Sequence, residues 1–172
     1  MNLALWITIL GLIVTLIGRW QIQPTALQKH GFLWGAVLLT VGAWLDHEPV
    51  LVSLELIIVI GCVLGFFAWP QRRKAIIIGT ATLCIPVVVL LTGDTWSPIF
   101  ILGLIGLVMA AFGFAWSSNR IQLAASGVII PYNTLSWLVL GYQIAALFLL
   151  LNVIYFIFLL RAIIRLSRNS QR

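Results

Sequence analysis

The sequence predicts an all-α protein, a polytopic bundle of transmembrane helices, and three observations carry that expectation. Hydrophobic residues make up 62% of the 172-residue chain, charged residues 8%, and mean hydropathy is +1.14. That leaves too little polar surface to cover a globule in water. Apolar runs persist for roughly 17 to 20 residues, the length an α-helix needs to cross about 30 Å of hydrocarbon. They do not alternate as the strands of a membrane barrel do, and within lipid only a helix or a closed barrel satisfies the backbone amides.

The first helix is expected near Leu3–Gly18. It lacks a basic leading region and has no small-residue cleavage pattern before Arg19, so it reads as a retained span and not as a secretion signal. Further spans are expected near Gly31–Leu45, Val50–Trp69, Ala75–Thr92 and Pro98–Trp116, followed by a long apolar tract from Ile121 to Leu160. Trp20, Trp44, Trp69, Trp96 and Trp116 fall at or near these ends, where an amphipathic ring prefers the headgroup layer. The whole of residues 1–160 reads as a single membrane domain, with a basic tail over residues 161–172.

Charge sets the number of crossings. Arg19 and Lys29 fall in the first connection, Arg72, Arg73 and Lys74 in the third and Arg120 in the fifth; Asp46 and Glu48 fall in the second and Asp94 in the fourth. Lys and Arg are retained on the cytoplasmic side, which puts the N-terminus outside. Arg161, Arg165, Arg168 and Arg172 in the tail want that same inner side. The tract from Ile121 to Leu160 should therefore cross twice, breaking at Gly141-Tyr142-Gln143 with Pro131 kinking the sixth span, or else turning at Pro131–Thr134. Seven spans follow, in a bacterial inner membrane or a thylakoid. The alternative is six spans and an extramembrane β-hairpin, because Arg120 to Trp137 also reads as two short strands around Ser126-Gly127. That segment resembles the strand pair of small pleckstrin-type domains.

Few residues carry chemistry. Asp46, His47 and Glu48 form an outer acidic loop; consecutive on a helix they would fan apart by about 100° each, and Pro49 favours an extended turn. Glu55 lies inside the third span, where a carboxylate must reach the interface, take a proton or find a partner. Asn152, amid leucines, is expected to bond across to a neighbouring helix. Glu55, Asn152 and the break at Pro131 are the candidates for an ion path. Gly31 with Gly35, Gly61 with Gly65 and Gly106 with Ala110 have the four-residue spacing that lets helices pack closely. Cys62 and Cys84 read as small packing residues.

No metal-spaced cluster, phosphate-binding loop, nucleophile with its base or haem-holding histidine pair is visible, so an enzyme is not expected and no cofactor is implied beyond bound lipid. The net charge of +6 is dispersed over span ends, which points to anionic lipid and not to nucleic acid. The expected role is an accessory or assembly subunit of a larger membrane complex, with other membrane subunits as partners. The alternative is a small-solute or ion transporter coupled to protons or cations. Residues Thr8 to Trp69, above all Gly42–Leu51 (GAWLDHEPVL), resemble the N-terminal membrane part of a thylakoid protein family of cyanobacteria and plastids. The resemblance implies a photosynthetic-membrane setting and no functional residues.

Overall fold

The computed structural model describes residues 3–19, 26–47, 49–92, 97–141 and 143–169. Among them every regular element is helical: α1 (Leu3–Arg19), α2 (Ala26–Leu45), α3 (Pro49–Leu64), α4 (Gln71–Thr92), α5 (Pro98–Ala115), α6 (Asn119–Leu138) and α7 (Gln143–Asn169). The protein is all-α. By length and composition two segments among the described residues are apolar enough to cross a membrane, Pro98–Ala115 and Ala145–Arg165, while the apolar stretches Leu3–Gly18 and Leu51–Leu64 are shorter.

The helices start and stop where local chemistry dictates. At the head of α5, Ser97 Oγ accepts from Phe100 N at 3.0 Å and Pro98 follows at the first helical position, its missing N–H costing nothing there. At its foot, Ser117 N donates to Phe114 O and Ser118 N to Gly113 O, the paired bonds of a Schellman turn. The turn places Ser117 at φ 52, a left-handed conformation that glycine normally fills. Ser118 Oγ then caps α6 through Ile121 N. One two-residue device thus ends one helix and begins the next.

The hairpin expected around Ser126-Gly127 is absent, since residues 119–138 form α6 throughout. Gln122, Ala125, Ser126, Ile129, Asn133 and Ser136 are all buried, and their spacing of three and four residues is that of one helix face. The apparent alternation near Ile121 and Leu123 was too short to outweigh it. Pro131 lies inside this helix on its exposed side. The chain breaks between α6 and α7, and Gly141 takes φ 73 there. The helices also begin earlier than hydropathy suggested: Lys29 and His30 sit in α2, and Arg72, Arg73 and Lys74 in the first turn of α4. An apolar window discards a polar first turn that the backbone still winds.

Helices α1, α2, α3, α5, α6 and α7 pack in that order, and α7 returns to touch α1, which closes a ring of six. Helix α4 stands outside, resting on α3 and lightly on α5. Backbones approach closely at small residues. A Cβ added to Gly31 would meet Gly18 Cα at 2.6 Å, and one added to Gly61 would meet Ala111 O at 2.5 Å. Gly103, Gly106 and Gly113 of α5 receive Tyr132, Ile129 and Gln122 of α6. The core gathers Leu54, Ile57, Ile78, Ile85 and Ala111 with an aromatic cluster in which Phe32 of α2 packs on Phe114 of α5, with centroids 4.7 Å apart, and on Tyr155 of α7.

Candidate functional site

The most polar assembly among the described residues lies where α2, α4 and α6 begin and α3 and α5 finish. Helix C-termini leave carbonyls without partners, and two lysines from neighbouring helices take them. Lys29 Nζ donates to Gly65 O at 2.8 Å, and Lys74 Nζ donates to Ala115 O at 2.7 Å. Each cation also meets the negative end of a helix dipole. Burial lowers the Lys74 pKa below its ordinary value, and the nearby charge of Lys29 lowers it further.

Between these caps a small cleft opens, lined by Gln28, Lys29, Cys62, Ser117, Asn119 and Gln122 above the rings of Phe32 and Phe114. It has about 20 Å³ of space, enough for one water-sized guest. Gln122 anchors its floor: its Nε2 donates to Gly113 O at 3.1 Å, and its Oε1 accepts from the Tyr155 hydroxyl. The cleft wall carries donors, acceptors and one cation, and no carboxylate is among the described lining residues. Beside it the turn after α3 is an aromatic shelf. His30 packs on Phe66, Phe67 stacks on Trp69 at 4.7 Å, and Arg73 lies 4.3 Å over the Trp69 ring.

The residues singled out in the sequence fall elsewhere. Asp46 is half-buried in the turn after α2, and His47 is exposed at φ 58; Glu48 lies outside the described residues. Among the described residues no three His, Cys, Asp or Glu side chains gather to hold a metal. Glu55 is 5% exposed and makes an interaction within the fold, so it does not simply reach water at the interface. It shares a face of α3 with Cys62 seven residues on, which sets it about 10 Å along the helix from the cleft wall. Asn152 is buried, and its amide donates to Phe148 O of its own helix at 2.9 Å, not across to a neighbour. Glu55, Asn152 and Pro131 lie on three different helices, α3, α7 and α6. Gly31 and Gly35 face α1, Gly61 and Gly65 face α5, and Gly106 faces α6, while Ala110 is buried in the α5 core.

The cleft residues Gln28, Gln122 and Tyr155 drew no notice in the sequence. The signal was present: Gln122, Ser126, Asn133 and Ser136 recur at helical spacing in a segment too polar to face lipid. Scans of family models, curated proteins and solved structures gave no match, and no family is assigned.

Proposed function

We propose that this chain is a seven-span integral membrane protein acting as an accessory or assembly subunit of a larger membrane complex, with no catalytic centre of its own. The observation that carries the reading is an inverted distribution of polarity. Leu91, Leu83, Trp44, Trp34, Ile76 and Leu10 stand at least half exposed, whereas Gln122, Ser126, Asn133, Ser136, Glu55 and Asn152 are buried. A soluble globule rarely tolerates so broad an apolar exterior, and lipid or other membrane helices would cover it. Lysine and arginine side chains fall at the end shared by the α2, α4 and α6 N-termini, which supports reading that end as cytoplasmic and the N-terminus as outside.

Gentle detergent extraction followed by native sizing tests the role. A subunit migrates with partners far larger than 19.1 kDa; migration alone or as a small homo-oligomer sinks it. The buried carboxylate of Glu55 favours a second reading, a proton- or cation-coupled carrier. Under that reading Glu55→Gln abolishes cation-linked flux in reconstituted vesicles while leaving assembly intact, and unchanged flux removes it.

A further inference from the structure

We infer that Asn133 and Ser136 bind an ordered water molecule inside the bundle, bridging the Asn133 carboxamide and the Ser136 hydroxyl. Both side chains are at least 96% buried on the inward face of α6, and Asn133 Nδ2 and Ser136 Oγ have no hydrogen-bond partner among the described residues. A buried donor left unmade carries its full cost of desolvation, so two on successive turns of one helix form an expensive pair unless a guest satisfies them.

The other hydroxyls of the bundle show what these two decline to do. Thr15, Thr40, Thr82 and Thr134 each return their proton to the carbonyl four residues back, and Asn152 does the same with its amide. Thr134 takes this escape between the two orphans, on the same helix. The equivalent carbonyl for Ser136, four residues back, is that of Tyr132, and Ser136 Oγ does not use it. Residues three apart on a helix hold their Cβ atoms about 5–6 Å apart, a span that one water closes with two bonds of ordinary length. The guest must accept from the amide and exchange a proton with the hydroxyl. Water does both and is neutral, which suits a pair of uncharged side chains.

The inference is independent of the proposed role, because it concerns the fold's interior alone. Its test turns on sign. In a dry site, removing an orphan relieves a penalty, so Ser136→Ala and Asn133→Leu leave the unfolding equilibrium unchanged or shift it toward the folded state. In a hydrated site each replacement strips a leg from the water, and we expect each to shift the equilibrium about fivefold toward the unfolded state, with the double variant losing less than the product of the two. An unchanged or improved equilibrium in either single variant overturns the site. Should a variant fail to fold, magnetisation transfer from water to the Asn133 side-chain amide in the unaltered protein decides: a cross-peak supports the bound water, and its absence overturns it.

Discussion

Ser117 occupies a left-handed position in a turn that glycine normally serves, so Ser117→Gly should stabilise the fold by about 1 kcal/mol, read as a higher midpoint in chemical unfolding. Nothing in the local sequence Phe114-Ala-Trp-Ser-Ser-Asn119 announces that turn, because its geometry follows from two helices meeting within three residues. Lys74 makes a second prediction. Its pKa is lowered in the fold, so between that lowered value and the ordinary 10.5 the unfolded chain binds more protons than the folded one. Stability should therefore rise as pH climbs through that interval and fall as pH drops through it, and Lys74→Met should flatten the profile. Positive charge at this end was legible in the sequence. Its assignment to particular helix C-termini was not, because Lys29 and Gly65, like Lys74 and Ala115, are joined only by tertiary packing.

At the scale of elements, close approach is concentrated at glycines. Gly61→Val should separate α3 from α5 and cost about 1–3 kcal/mol or more, because the added side chain meets backbone at Ala111 that cannot rotate away. Gly127→Ala makes the contrast: nothing lies within 4 Å of its added Cβ, and exchanging glycine for the best helix former should be neutral or stabilising by up to about 1 kcal/mol. Unfolding equilibria of the two variants check the pair. Four-residue spacing picked out Gly61 and Gly65 but passed over Gly103 and Gly113, which accommodate Tyr132 and Gln122 at spacings the simple pattern does not describe. Helix existence was legible throughout. Helix starts were not, since an initial polar turn held by capping and by lysine–carbonyl bonds carries no apolar signal. The strand pair imagined around Ser126 failed for a related reason: a polar buried face weakens hydropathy and mimics an amphipathic surface segment.

Across the whole molecule, charge parity called for two membrane crossings in the last third of the chain; two helices, α6 and α7, are found there, and among the described residues one of them, over Ala145–Arg165, is long and apolar enough to span. Under the membrane reading, reporter domains fused after Arg120 and at the C-terminus should lie on the same side; opposite sides would defeat the seven-span arrangement. What charge and hydropathy leave unread is lateral order, because neither specifies neighbours. Helix α4 leaves the ring so that α3 and α5, which run in the same direction, can lie together. The closure of α7 onto α1 has a corresponding effect on the chain's two ends. These helices are neighbours that run the same way, so one end emerges at the far pole from the other. Splicing the ends together in a permuted gene would therefore demand an added traverse of about 30 Å.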